Sequence, residues 1–264
     1  MTLPARRQVD LPEGRQARVL EMGEGEALVF LGGIIGLPRW PEVLTRLAAA
    51  RRVIAPSLPG FYGCELFRDL DHPIDWVTST LDLLDACAPA GPVDVLGASL
   101  GATLAAEAAA MNASRVERLA LVSPFGLFRN DEPVTDIWAQ RKKAFASLLS
   151  NQPAEFEAFR ERPEDEDEVE WTVLSNRSQE AAARLLWPMG DTGLARRLHR
   201  IQCPTLLLWG DDDRVVPASY AKLFAEGISG HTQIRSIEGA GHTAELDRPT
   251  AVAEAVLDFL DSTG

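Results

Sequence analysis

Short apolar runs alternate with amphipathic stretches over most of the chain. The apolar runs predict strands at residues 15–21, 27–31, 52–55, 93–97, 119–123, 204–209 and 233–237. Helical spacing and helix-forming composition predict helices between them, at residues 40–50, 74–88, 100–111, 218–226 and 249–260. This order of strands and helices is typical of a mostly parallel central sheet flanked by helices. We therefore expect an α/β fold.

The alternation is interrupted once. Residues 125–197 show little strand signal and many charged, helix-like stretches, including the acidic run 163–170. The pattern predicts a small helical cap inserted at 125–197, with residues 1–124 and 198–264 forming the α/β core. The acidic run lacks the glycine and the ligand spacing of a calcium loop, so we interpret it as a solvated loop or helix start.

Charge and cysteine content narrow the expected partners. The 264 residues carry a formal net charge of −13, which disfavours nucleic acid and anionic membranes as partners. The N-terminus has no apolar run of the signal-peptide kind, and no stretch approaches the roughly 18 apolar residues of a spanning helix. Three widely spaced cysteines fit reduced thiols. We expect a cytoplasmic protein that binds a small-molecule substrate, with a homodimer left open.

The candidate chemistry begins at Gly97-Ala98-Ser99-Leu100-Gly101, between a predicted strand and a predicted helix. In that context G-x-S-x-G is a nucleophile elbow, which holds the serine on a sharp, strained turn. The two glycines allow neighbouring backbone to approach, and the Leu100 N–H points to where an oxyanion would form. The motif predicts Ser99 as the nucleophile and Leu100 as an oxyanion donor.

A serine nucleophile needs a base, and the base needs an orienting acid. His242 follows a predicted strand in the small-residue run GAGH, which predicts this histidine as the base. The other three histidines lie in polar or basic segments and are interpreted as surface residues: His72, His199 and His231.

Three consecutive carboxylates follow the predicted strand 204–209, at the end where α/β sheets place functional groups. Spacing from Gly210 favours Asp213 as the acid, with Asp212 as the alternative, and the remaining carboxylates are expected to shape a turn. The order serine, acid, histidine differs from the orders in chymotrypsin and subtilisin. It is the order of the α/β-hydrolases.

These motifs resemble those of the α/β-hydrolase superfamily, in particular its small serine esterases and carbon–carbon bond hydrolases. The resemblance spans nearly the whole chain outside the predicted cap. It rests on FLGG followed by tryptophan after six residues, RVIAPSLPGFYG, GASLG, PTLLLWGDDDRVVP and GAGHTAELDRP. It implies an α/β-hydrolase fold and an oxyanion hole completed by the Ile34 N–H beside Leu100. It implies no metal and no organic cofactor.

Two segments depart from the family pattern. Gly32-Gly33 stands where members usually carry His-Gly, and Ser57 replaces an aspartate that is normally structural. An extra residue also separates the glycines that follow Ser57. Cys64, close behind, is interpreted as a packed thiol rather than a reactive one.

We expect hydrolysis of a small carboxylic ester through an acyl-enzyme, with specificity set by the cap. One alternative is carbon–carbon bond hydrolysis of a vinylogous diketone acid, ranked lower because Thr243 replaces the aromatic residue that usually follows the histidine. The other is a non-catalytic ligand-binding protein on the same fold. Cap residues expected to line an apolar pocket or pack within the cap are Phe125, Phe128, Trp138, Phe145, Trp171, Leu186, Trp187 and Met189. Candidate cations for a substrate carboxylate are Arg129, Arg141 and Arg177.

Overall fold

Eight strands form one sheet in a computed structural model that describes residues 3–262 except Leu66, Arg68 and Asp165. The strands are β1 Ala5–Leu11, β2 Arg15–Met22, β3 Ala27–Leu31, β4 Arg52–Pro56, β5 Val93–Ala98, β6 Val116–Val122, β7 Thr205–Gly210 and β8 Thr232–Ile237. Their spatial order is β1-β2-β4-β3-β5-β6-β7-β8. β2 runs antiparallel to both of its neighbours, and β3 to β8 are parallel. The expected mostly parallel sheet is confirmed.

The strand predicted first along the chain, residues 15–21, is in fact the second. β1 precedes it and pairs with β2 from Ala5 to Leu11. β1 lies at the edge of the sheet and buries only Val9 and Leu11. Because an edge strand with one wet face needs few apolar residues, the run ARRQVDL carries little hydrophobic signal.

Nine α-helices accompany the sheet among the described residues. They are α1 Glu42–Leu47, α2 Pro73–Cys87, α3 Leu100–Met111, α4 Phe145–Leu149, α5 Pro153–Arg160, α6 Glu168–Leu186, α7 Tyr220–Gly227, α8 Ala244–Asp247 and α9 Pro249–Ser262. Alternate residues of β3 face opposite layers: Leu28 and Phe30 pack with apolar residues of α1 and α9, and Val29 and Leu31 with those of α2, α3 and α7. Helices therefore cover both faces of the sheet.

Residues 125–197, called the insert below, contain α4, α5 and α6 and no strand among their described residues. The Asp167 carboxylate caps α6 by accepting hydrogen bonds from the N–H groups of Val169 and Glu170, at 2.9 and 3.0 Å. The end of the acidic run thus starts a helix. In the part of the chain that the structure describes, no helix is long and apolar enough to cross a membrane.

Candidate active site

Ser99 lies on the turn between β5 and α3, with backbone angles of φ +52° and ψ −117°. Few non-glycine residues adopt a positive φ, so this turn stores backbone strain. A Cβ on Gly101 would lie 2.2 Å from the carbonyl oxygen of Leu31, and one on Gly97 would lie 2.5 Å from Cα of Ala102. Both glycines are therefore required by close backbone packing, which holds the Ser99 turn against the end of β3.

The structure brings Ser99, His242 and Asp213 together from turns that follow β5, β8 and β7. Ser99 Oγ lies 2.8 Å from His242 Nε2. On the other side of the ring, His242 Nδ1 lies 3.0 Å from Asp213 Oδ2 and 3.2 Å from Oδ1. Ser99 is 1% exposed and His242 is fully buried. These three residues, called the candidate triad, form a continuous hydrogen-bonded chain from hydroxyl to carboxylate.

The three adjacent carboxylates have separate roles. Asp213 Oδ1 accepts hydrogen bonds from the N–H groups of Val215 and Val216, both at 2.9 Å, so its carboxylate is held in place. Asp212 is exposed and pairs with Arg214. Asp211 accepts the Gly239 N–H at 2.8 Å. The contact with histidine thus falls to Asp213 and not to Asp212, the alternative in the sequence.

The imidazole ring of His242 also packs against an aromatic ring. Its ring lies 5.0 Å from the Phe125 ring, measured between centroids. Phe125 is fixed in turn, because its N–H donates to the Thr103 hydroxyl of α3 at 2.9 Å. The other histidines, His72, His199 and His231, are exposed.

Residues 238–243, called the histidine loop below, connect β8 to α8 and carry His242. Asp247, on α8, joins this loop to the insert. Its Oδ2 accepts the N–H groups of Gly241, at 2.7 Å, and of Asn151, at 2.9 Å. Its Oδ1 accepts the hydroxyl of Ser150. Thr243 adds a further link by donating its N–H to the Leu149 carbonyl at 3.0 Å. The histidine loop therefore packs directly on the residues that connect α4 to α5 in the insert.

The segment after β3 lies beside the serine. A Cβ on Gly33 would lie 3.4 Å from Cβ of Ser99, so Ile34 follows at the site where the resemblance implies an oxyanion donor. The Gly36 N–H donates to the Gly33 carbonyl at 2.8 Å and closes a tight turn. Among the hydrogen bonds between described residues, none uses the N–H of Ile34 or Leu100. Both donors are free for a ligand.

Ser57 has a structural role where the family usually has aspartate. Its hydroxyl accepts a hydrogen bond from Arg18 Nε at 3.1 Å and donates one to the Tyr62 carbonyl. Arg18 also donates to the Leu37 carbonyl at 2.7 Å. Burial lowers the pKa of Arg18 to about 10, so it remains a cation at neutral pH. This network ties the turn after β4 to the segment that carries Ile34.

Cys64 is a packed thiol, as interpreted from the sequence. It is 5% exposed, and its Sγ donates to the Gln16 carbonyl at 3.5 Å. Burial raises its pKa to about 12. The thiolate needed for reactivity is therefore negligible at neutral pH.

A cavity of about 710 Å³ lies between the insert and the sheet. Its described lining includes Ile34 but neither Ser99 nor His242, so the cavity approaches the candidate triad through the segment after β3. The lining residues are Ile34, Ile35, Tyr62, Ile137, Trp138, Gln140, Lys143, Phe145, Glu157, Arg160, Ser175, Asn176, Ser178, Gln179 and Ala182.

The aromatic side chains of the insert divide between this cavity and packing. Trp138 and Phe145 line the cavity. Trp171 instead stacks on Tyr62, with ring centroids 4.5 Å apart, and so supports a wall residue. The remaining members of the expected set do not appear among the described lining residues, and Trp187 is 60% exposed.

The cavity cations are not the arginines expected from the sequence. Arg129 pairs with Asp131 at the surface, and neither Arg141 nor Arg177 is among the described lining residues. Arg160 and Lys143 line the cavity instead. Arg160 follows Phe156 by four residues on α5, a helical spacing that marks it as close to the apolar face of that helix.

Comparison with known proteins supports the same fold. The chain is 25% identical to an (E)-2-((N-methylformamido)methylene)succinate hydrolase of Acinetobacter baylyi, over 97% of this chain and 98% of that protein. It is 24% identical to a 2-hydroxymuconate semialdehyde hydrolase of a Pseudomonas species, over 94% and 91%. A solved serine hydrolase involved in carbazole degradation superposes with a TM-score of 0.78 at 22% identity, covering 98% of this chain and 99% of that one. Residues 28–255 match the model of the alpha/beta hydrolase family. The chain belongs to the alpha/beta hydrolase family.

Proposed function

We propose that this hydrolase cleaves a small carboxylic ester through an acyl-enzyme formed on Ser99. The observation that carries the proposal is the continuous hydrogen-bonded chain from Ser99 Oγ through His242 to Asp213. A serine hydroxyl that already contacts a neutral imidazole nitrogen can lose its proton as it attacks a carbonyl carbon. Asp213 then stabilises the imidazolium and keeps the ring in one orientation.

The reaction proceeds in two steps. His242 Nε2 takes the Ser99 proton as Oγ bonds to the ester carbon, and the N–H groups of Ile34 and Leu100 stabilise the oxyanion. As the intermediate collapses, Nε2–H returns this proton to the departing alcohol. Water then attacks the acyl-enzyme with His242 again as base, which releases the acid and restores the serine.

The charged side chains of the large cavity favour an ester that carries a negative charge. Arg160 pairs with Glu157 at 3.2 Å, which leaves part of its fork of donors for a ligand. Lys143 has no carboxylate within ion-pair distance among the described residues. The described wall of the cavity carries two cations, Lys143 and Arg160, and one anion, Glu157. Its net charge is therefore positive, whereas the chain as a whole has a net charge of −13.

Carbon–carbon bond hydrolysis is the second candidate. It is favoured by the relative named as a 2-hydroxymuconate semialdehyde hydrolase and by the two cavity cations, which could hold a dienoate carboxylate. The presence of Thr243 in place of an aromatic residue is weaker evidence against carbon–carbon bond hydrolysis than the sequence alone suggested. Its side chain is buried, donates to Leu149 and is not among the described residues of the large cavity.

A substrate comparison tests both candidates. We expect wild type to hydrolyse the p-nitrophenyl ester of a short dicarboxylic acid with a higher kcat/KM than a 2-hydroxy-6-oxodienoate, and Ser99→Ala to lose both activities. Ser114→Ala, which removes an exposed hydroxyl, is the matched control. A higher kcat/KM for the dienoate would replace the ester proposal with the second candidate. Absence of turnover for both would favour the non-catalytic alternative.

A further inference from the structure

Helix α8, directly after the histidine loop, carries two buried carboxylates in opposite environments. Asp247 accepts hydrogen bonds from three donors, as described above. Glu245 is 5% exposed, and its Oε2 has no hydrogen-bond partner among the described residues. A buried carboxylate oxygen without a donor is costly unless the group is protonated or reached by water. The candidate triad does not use Glu245, so this side chain needs another explanation.

A small second cavity adjoins Glu245. Its volume of about 10 Å³ is at the lower limit for holding one water molecule. Its described walls are Phe30, residues 33–37, Pro41, Phe159, Thr243, Glu245 and Leu246. Ile34 and Ile35 line both this cavity and the large one, whereas His242 is in neither described lining. The segment that presents the Ile34 N–H therefore separates Glu245 from the large cavity.

We infer that Glu245, as a neutral acid, binds one water molecule in the small cavity and thereby positions the segment that presents the Ile34 N–H. The inference rests on the proposed function, in which this N–H stabilises the oxyanion. A neutral carboxyl offers one O–H donor and a carbonyl acceptor, so a water can bridge it to backbone groups of the wall. Ile35 lines the small cavity, and no hydrogen bond between described residues uses its N–H group. Glu245 is thus a positioning residue.

The surroundings favour the neutral acid. Burial is the main cause that raises the pKa of Glu245 to about 7, and the carboxylates of Asp247 and Asp213 add to the rise. A hydrogen bond from its own backbone and the charge of His242 act in the opposite direction. From the opposite wall, residues 33–37 bring no ionisable side chain, and α5 brings Phe159.

The charged residues next to that wall along the chain have partners elsewhere. Arg39 donates through Nη2 to the Glu161 carbonyl, while its buried Nε has no partner among the described residues, and Glu42 pairs with Arg46 on the surface. No cation of the described walls is therefore available to neutralise an ionised Glu245. Its carboxyl is mostly neutral below a pH of about 7 and half ionised at that pH.

Ionisation of Glu245 would oppose the proposed reaction. A negative charge behind Ile34 lies on the side where the oxyanion forms and repels it. The same charge would also favour the imidazolium of His242, whose charge lowers the pKa of Glu245, so this gain offsets part of the repulsion. We expect kcat/KM to fall by about three- to tenfold as Glu245 ionises.

The test is the pH profile of kcat/KM from pH 5.5 to 9 for a neutral p-nitrophenyl ester, with wild type, Glu245→Gln and Glu254→Gln. Glutamine keeps the size and hydrogen-bonding capacity of glutamate but does not ionise. Glu254 is exposed on α9 and serves as the matched control. We expect the profiles of wild type and Glu254→Gln to bend downward above about pH 7. The profile of Glu245→Gln should stay level, and the same bend in that variant would overturn the inference.

Guanidinium unfolding of the same proteins at pH 5 and pH 8.5 separates this inference from the proposed function. The raised folded-state pKa means that stability present below the unfolded pKa is lost as the pH rises through about 7. The midpoint should therefore fall more with pH in wild type than in Glu245→Gln. Equal shifts would overturn the inference. Unequal shifts with no ester turnover in wild type would reject the proposed function and, with it, the positioning role.

Discussion

Ser99, His242 and Asp213 stand at the ends of three parallel strands, buried and joined by a chain of hydrogen bonds. The large cavity beside them is built differently. Two of its three charged wall residues, Lys143 and Glu157, are exposed, and all three lie in the insert, on helices and turns rather than on the sheet. The carboxyl ends of the strands thus fix the positions of the reacting atoms, whereas the insert supplies the charged side chains of the cavity wall.

The largest effect is expected from changing one of two neighbouring carboxylates at the end of β7. We expect Asp213→Asn to lower kcat by about 10⁴-fold, because an amide favours the wrong imidazole tautomer and does not stabilise the imidazolium. Asp212→Asn, which removes only a surface pair with Arg214, should change kcat by less than about twofold. Steady-state kinetics on one ester measures both. Equal losses in the two variants would remove Asp213 from the proposed triad.

The backbone under the serine can be tested through stability. Gly101→Ala should cost about 3 kcal/mol of unfolding free energy, because the new Cβ would lie 2.2 Å from the Leu31 carbonyl oxygen. Gly190→Ala is the control in the insert, where the nearest atom is 3.6 Å away, and it should cost less than about 1 kcal/mol. Denaturant unfolding gives both values. A Gly101→Ala protein as stable as wild type would show that the elbow tolerates displacement.

The role of the large cavity in substrate recognition is tested by removing one of its positive charges. Arg160→Gln should raise KM about tenfold for an ester that bears a carboxylate, while leaving KM for a neutral ester of the same size within about twofold. Arg162→Gln, two residues away and exposed, is the control. A similar rise in KM for both esters would assign Arg160 to packing on Phe145 and Phe156 rather than to charge recognition.

The smallest effect is expected at Cys64. Cys64→Ala removes a buried thiol with a raised pKa and no contact with the candidate triad, so kcat/KM should stay within about twofold of wild type. Initial rates under identical conditions are sufficient. A loss of more than tenfold, with unchanged stability, would contradict the interpretation of Cys64 as a packed thiol.

Local sequence motifs were sufficient to predict the turn that carries Ser99 and the loop that carries His242. The elbow motif fixes strand, turn and helix within five residues, and the small-residue run before His242 marks a loop that crosses the edge. Asp213 was harder, since three adjacent carboxylates look alike in sequence. Their roles differ only because Asp213 meets the N–H groups of Val215 and Val216 while Asp212 meets solvent.

The parts that sequence reasoning missed depend on tertiary packing. β1 has few apolar residues because an edge strand with one exposed face buries few side chains. Arg160 faces the cavity because of the way α5 packs, which periodicity places on a face but does not orient toward a pocket. Glu245 looks like one more acid in AELD, and only the fold buries it beside the histidine loop.

Whether Ser99 is an activated nucleophile is tested by labelling with a fluorophosphonate and mapping the modified peptide by mass spectrometry. Wild type and His242→Ala are compared, with folding of both checked by circular dichroism. We expect rapid modification of Ser99 in wild type and a rate at least about 100-fold lower in His242→Ala. Equal labelling rates, or a folded wild-type protein that is not modified at Ser99, would contradict it.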